Sequence, residues 1–184
     1  MDAHARLPTA ERSDPLPLLA WGHYRDRLRL ALLRLKYNDS PQIGLLLGRW
    51  LGTAWQDAQL EKVWGRPTVV PIPLHAQRLN ERGYNQAMTI ARGFCRQTQL
   101  PLAARVLQRR RATIAQFGLG VAAREQNLVD AFEVRSLRPQ RVLLVDDIYT
   151  TGSTMRAATR ALQARGITVV GVVAVARAGR ERPR

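Results

Sequence analysis

Cysteine is all but missing from this chain: Cys95 stands alone among 184 residues. A single thiol closes no intrachain disulfide. His4, His23 and His75 lie scattered without ligand spacing, so no zinc site is expected and a reducing, cytoplasmic setting follows. Lysine is nearly as scarce, with Lys36 and Lys62 standing beside 27 arginines. Acidic residues number 14 against 29 basic ones, which leaves a formal charge of +15. Aromatic residues make up 6%, sparse for a surface that stacks bases. No stretch nears the roughly 18 uninterrupted apolar residues of a membrane span. Met1 to Pro17 carries no apolar run of a secretory leader, so a soluble protein with no membrane span is expected. What is present is a core, because 46% apolar residues over one domain's length exclude both a disordered chain and a small stapled scaffold.

A chain with an isoelectric point near 11.6 attracts polyanions, either nucleic acid or small ligands carrying several phosphates. Arginine suits bidentate phosphate contact better than lysine does. A solvated basic surface with no specific partner would show the same surplus.

Residues 1–20, with Pro8, Pro15 and Pro17, read as an extended arm, and 21–184 as one domain. A helix is expected from about Gly22 to Tyr37, with Leu28, Leu32 and Leu35 on one side and Arg25, Arg29 and Lys36 elsewhere; Asn38 and Pro41 stop it. Ile43, Leu46, Leu47, Trp50, Leu51, Ala54 and Trp55 then recur at the spacing of an amphipathic helix, a stripe that reads as core. Thr68 to Val70 predicts a short buried strand running into Pro71-Ile72-Pro73, and Asn85 to Thr98 a further helix. Val106 and Leu107 suggest a strand leading into a mobile loop, Arg109 to Gly120, with three consecutive arginines. A helical turn at Ala122 to Leu128 and a strand at Ala131 to Val134 follow. Val142 to Val145 is a continuous apolar run of the kind a doubly covered parallel strand shows. A helix from Ser153 to Arg165, stopped by Gly166, leads to a second such run, Ile167 to Ala176. Strands alternating with helices at this spacing predict an α/β domain with a mainly parallel twisted sheet flanked by helices and preceded by a helical segment.

In such sheets ligands bind at the carboxyl ends of the strands. Asp146 and Asp147 follow the first apolar run, and Thr150-Thr151-Gly152-Ser153-Thr154 then opens a helix. Helix N-terminal amides and hydroxyls make a phosphate cradle. The carboxylates can accept hydrogen bonds from sugar hydroxyls or hold a hydrated Mg2+. One loop could therefore grip a sugar phosphate at both ends, although ordinary helix capping would also place Thr or Ser there. A P-loop ATPase is excluded, since neither lysine sits in a Walker sequence. A receiver domain would have most of its fold after its acids, yet 38 residues follow Asp146.

Val142 to Thr154 resembles the phosphoribosyl pyrophosphate motif of type I phosphoribosyltransferases. Val70-Pro71-Ile72-Pro73-Leu74 narrows the likeness, as does Arg78-x-x-x-Arg82-Gly83-Tyr84-Asn85-Gln86. So does the series Arg111, Thr113, Gln116, Leu119, Arg124, Asn127, Ala131 and Phe132. Together they are similar to the ComF branch of that superfamily, which includes competence-associated and GntX-like proteins, from about Tyr24 to Arg177.

The resemblance implies a type I phosphoribosyltransferase-like fold that binds 5-phosphoribosyl 1-pyrophosphate, or another sugar phosphate, with Mg2+. It implies phosphoribosyl transfer to an unidentified acceptor, linked to competence and DNA uptake. Asp146 and Asp147 would bind the ribose hydroxyls and, through water or those hydroxyls, the metal. Thr150, Thr151, Gly152, Ser153 and Thr154 would hold the 5-phosphate. Pro71, Ile72 and Pro73, with Arg78 and Arg82 behind them, would approach the pyrophosphate. Arg109 to Gly120 would form a lid carrying Arg111 and Gln116, with Arg124 also toward the substrate. A pair of helix-surface arginines is the plainer reading of Arg78 and Arg82, and a solvated run that of Arg109 to Arg111. ComF proteins usually begin with a cysteine-paired zinc ribbon; with no cysteine before Cys95, that module is not expected. Purine-salvage relatives carry an Asp base where Thr150 stands, which argues against hypoxanthine or guanine as acceptor. The competing reading is a non-catalytic basic module for single-stranded DNA or for competence proteins. No oligomeric state follows from the sequence, though a dimer is compatible with it.

Overall fold

The computed structural model describes residues 16–37, 40–110, 131–136 and 139–178. Two valine-rich strands lie side by side at the centre of the sheet, β5 (Arg141–Tyr149) and β6 (Thr168–Arg177), paired parallel. Outside them run β2 (Thr68–Pro71) against β5 and β1 (Leu18–His23) against β6, also parallel, giving the order β1-β6-β5-β2. Parallel neighbours need crossovers, and the helices that supply them cover both faces, which is why the central strands are apolar without alternation. A separate antiparallel pair, β3 (Leu107–Arg109) with β4 (Phe132–Val134), joins the edge beyond β2, where His75 bridges to Arg109.

The sheet divides the core in two. On one face Val70, Val142, Leu144 and Val172 pack with Met155, Ala158 and Leu162 of α6 (Ser153–Gln163) and with Leu107 and Phe132. On the other, Val69, Leu143, Val145 and Val173 meet α1 (Asp26–Tyr37), α2 (Pro41–Asp57), α3 (Leu60–Trp64) and α5 (Gln86–Thr98). Leu32, Leu35, Leu51, Ile90 and Phe94 are fully buried there, each contributing roughly 1.5–3 kcal/mol of transfer free energy.

The sequence stripe of α2 is rotated from its expected position. Its buried face is Gly44, Leu47, Gly48, Leu51, Gly52, Ala54 and Trp55, so four residues of the expected stripe are inside, whereas Leu46 and Trp50 are 45% and 43% exposed. Close approach of two backbones is the reason. A methyl on Gly48 would come within 2.1 Å of the Ile90 carbonyl, and one on Gly93 of α5 within 2.1 Å of the Leu45 carbonyl. Small residues spaced by four, invisible to a hydrophobicity pattern, set the face that α2 turns inward.

Other departures are local. Leu18 to Ala20, expected in the arm, belong to β1, and α1 starts at Asp26 because Gly22 and His23 are still paired with Ala176 and Arg177. Arg109 lies in β3 rather than in a loop, and residues 111–130, including the expected turn at 122–128, fall outside the described residues. No helix among the described residues is long and apolar enough to cross a membrane.

Candidate functional site

Strand β5 does not end at its aspartates. It continues through Asp146 and Asp147 to Tyr149, with Asp146 opposite Ala174 and Ile148 opposite Ala176. Its neighbour β2 stops at Pro71, opposite Val145, and the Ile72 amide donates to the Val145 carbonyl at 2.9 Å. The acid pair thus begins where β2 ends, with Pro71, Ile72 and Pro73 alongside it. Asn85 holds that loop in place: its side-chain amide donates to the Ile72 carbonyl at 2.9 Å, while its Oδ1 caps α5 by accepting from the Ala87 amide at 3.0 Å.

Successive strand residues point to opposite sides; Asp147 pairs directly with Lys36, and Asp146 feels both Lys36 and Arg109. Asp147, 8% exposed, places Oδ2 2.8 Å from Nζ of Lys36 in the last turn of α1. Asp146 accepts the Asp147 amide at 2.9 Å. Burial and the neighbouring Asp147 charge push its carboxyl up to about 7, against the opposing pull of that amide, Lys36 and Arg109. Arg109, over the Phe132 ring, has its guanidinium held below the ordinary range by burial; Asp146 opposes that shift and Arg78 adds to it. Asp146, Arg109 and Arg78 therefore share one electrostatic neighbourhood, with Arg78 exposed on α4 (Ala76–Arg82).

Beyond Tyr149 the chain turns into α6 through Gly152, whose φ of 74° is a left-handed conformation that an L side chain resists. The hydroxyls of Thr151 and Ser153 lie 2.6 Å apart, and the Ser153 amide reaches Thr151 Oγ1 only at 3.5 Å. Thr150 is exposed and Thr154 half-buried. Arg156, in the first turn of α6, donates to the Thr151 carbonyl at 2.9 Å and brings a positive charge beside the loop. First-turn amides have no intrahelical acceptor, so the loop presents donors and positive potential where an anionic group fits.

Arg82 is engaged elsewhere. Its guanidinium donates to Gln86 Oε1 at 2.7 Å and lies 5.6 Å from the Tyr37 ring centroid. The Tyr84 hydroxyl donates to the Leu35 carbonyl. The Arg82-Gly83-Tyr84-Asn85-Gln86 segment is thus a clasp that fastens the end of α1, the Pro71 loop and the start of α5 to one another. Arg111, Gln116 and Arg124 lie outside the described residues. Sequence reasoning missed Lys36 and Arg156; the one available signal for Lys36 is a lysine in a chain that otherwise uses arginine, next to the buried Leu35.

No group of three His, Cys, Asp or Glu side chains among the described residues is placed to hold a metal ion. Two carboxylates at a strand end suit a hydrated Mg2+ held through water or sugar hydroxyls.

The phosphoribosyl transferase domain family matches residues 81–184. Competence protein F of Haemophilus influenzae is 33% identical over 162 residues, covering 85% of this chain and 71% of that protein. DNA utilization protein YhgH of Escherichia coli is 27% identical over 182 residues, 92% of this chain and 77% of its own length. Competence protein ComFC of Bacillus subtilis is 26% identical over 146 residues, 78% of this chain and 56% of its own length. With the domain family matching more than half of the chain and Competence protein F 33% identical over 162 residues, the chain belongs to the ComF family of type I phosphoribosyltransferase-like proteins.

Proposed function

We propose that the chain binds 5-phosphoribosyl 1-pyrophosphate with Mg2+ at the carboxyl end of β5 and transfers its phosphoribosyl group to an acceptor in competence or DNA utilization. One observation supports the reading: the Asp146-Asp147 pair leads directly into the loop before α6, which suits a phosphate, and Asp146 acts electrostatically on Arg109, which also feels Arg78. The carboxylates accept the ribose hydroxyls and orient the ring. The amides and hydroxyls of 150–154 hold the 5-phosphate, with Arg156 adding positive potential. Arg109, desolvated beside Asp146, stabilises negative charge developing on the leaving pyrophosphate as the bond to ribose C1 breaks. Mg2+, when bound with the ligand, would supply further positive charge to that leaving group. Thr150 provides no carboxylate base toward a purine, which favours an acceptor other than hypoxanthine or guanine.

A second reading, a basic module for single-stranded DNA, is favoured by one observation. Trp50, on the outer side of α2, stacks on Trp21 of β1 with ring centroids 5.2 Å apart, and it is 43% exposed. An exposed indole on a basic protein is a base-stacking platform. Calorimetry separates the two readings. The enzyme reading expects saturable, stoichiometric binding of 5-phosphoribosyl 1-pyrophosphate with Mg2+. No such binding, together with DNA binding that falls steeply between two salt concentrations, would replace it with the DNA reading.

A further inference from the structure

Lys36 is not an ordinary surface lysine. Its side chain is 23% exposed and its ammonium lies 2.8 Å from an Asp147 carboxylate whose side chain is 12% exposed. The residues on either side of it have partners in the clasp. Leu35 is fully buried and its carbonyl accepts from Tyr84, while the Tyr37 ring lies under the Arg82 guanidinium. The clasp that follows the Pro71 loop therefore also sets where Lys36 points. In a chain with 27 arginines the cation at this position is one of two lysines, and the other, Lys62, donates to Gln59 on the surface. A lysine delivers a compact point charge where a guanidinium fork would demand more room and more acceptors.

Two carboxylates on consecutive residues at a partly buried strand end repel each other and call for positive charge. A divalent cation is one way to supply it. We infer that Lys36 is the built-in counter-cation of the acid pair, a positioning residue that holds the Asp147 carboxylate in place at the strand end without a metal ion seated there beforehand. The pair is then pre-set for a sugar diol, and any divalent cation enters with the ligand's phosphates. The role toward a sugar rests on the phosphoribosyl reading; the role toward the acid pair does not.

The test uses Mn2+ alone, read by loss of the free-ion electron paramagnetic resonance signal on adding the folded chain. Wild type and Lys36→Arg should take up no Mn2+ at millimolar concentration. Lys36→Met should take up one ion with affinity at least about tenfold higher, the scale on which neighbours tune metal sites. Adding Asp147→Asn to Lys36→Met should abolish the uptake. Wild type binding Mn2+ as tightly as Lys36→Met, or Lys36→Met binding none, overturns the inference. Lys36→Gln serves in the same way if the methionine variant fails to fold by near-ultraviolet circular dichroism.

Ribose 5-phosphate binding, measured with chelator and with Mg2+, gives a second arm. Lys36→Met should lose about tenfold in chelator and regain most of it with Mg2+. Equal losses in both buffers mean that Lys36 acts only through the fold, and the inference fails. If wild type binds no ribose 5-phosphate in either buffer, the sugar-phosphate reading fails while the Mn2+ arm still decides the role of Lys36.

Discussion

At Asp147 a carboxylate oxygen meets the Lys36 ammonium although 111 positions separate them in the chain. Nothing in the spacing of charges brings these two together. The pairing depends on α1 crossing over the sheet face that Leu143 and Val145 line, with Leu32 and Leu35 buried against it. The acid pair itself was legible, because paired carboxylates after a continuous apolar run are a local pattern; its counter-charges were not, because they come from other elements. Arg109 illustrates the same point, since it read as part of a mobile arginine run and instead sits in β3 beside Asp146. Replacing it with Gln should weaken 5-phosphoribosyl 1-pyrophosphate by about 1.5–3 kcal/mol, the range for hydrogen bonds to charged groups. Ribose 5-phosphate, which lacks the pyrophosphate, should lose far less; parallel calorimetric titrations check this, and equal losses would mean that Arg109 acts by general charge. At Cys95 burial pushes the thiol up to about 12 from 9.0. The folded state thus favours the neutral thiol, so its contribution to stability is full below 9.0 and is lost as pH rises toward 12. Alkylation by iodoacetamide at pH 8 should be slow in the native protein and fast after denaturant is added, because the thiolate is the nucleophile.

Helix α2 and strand β5 show what pattern reading captures at the scale of elements. The existence of both was legible from periodicity and from continuous apolar runs. Their detailed form was not: the inner face of α2 includes Gly44, Gly48 and Gly52 beside Leu47, Leu51 and Trp55 and leaves Leu46 and Trp50 outside, and β5 runs on past its last valine through two acids. Strand β1 escaped notice because it follows Pro15 and Pro17 and owes its extended form to pairing with β6 far along the chain. Gly48→Ala and Gly93→Ala should each lower stability by at least about 3 kcal/mol, the upper range for overpacking. Alanine's better helix propensity offsets only about 1 kcal/mol of this. Chemical denaturation measures the difference, and a near-neutral result would mean that α2 and α5 are not in backbone contact. For the loop before α6, crystals grown in sulfate should show an anion against the first-turn amides beside Gly152 and Arg156, detectable as tetrahedral density. Amides closed off by the Thr151 and Ser153 hydroxyls would leave no room for it.

Across the whole molecule, the +15 charge is an attractive field for any phosphate-bearing ligand and does not by itself select one. The proposed function puts selection at the strand end, where Asp146, Asp147, Lys36, Arg109 and the Gly152 loop come from elements distributed over the chain. The family, the α/β class and the parallel sheet were readable from the sequence because its motifs are local. The clasp at Arg82 to Gln86 was readable as letters, but its work of fastening α1 became visible only in three dimensions. The central claim is that the acid pair recognises a phosphoribosyl ligand. Its most direct test is calorimetric titration of 5-phosphoribosyl 1-pyrophosphate with Mg2+ into wild type and into the Asp146→Asn, Asp147→Asn double variant, with folding of both checked by near-ultraviolet circular dichroism. Saturable binding by wild type and its abolition in a folded double variant is the predicted result; wild-type affinity in the double variant would contradict the account.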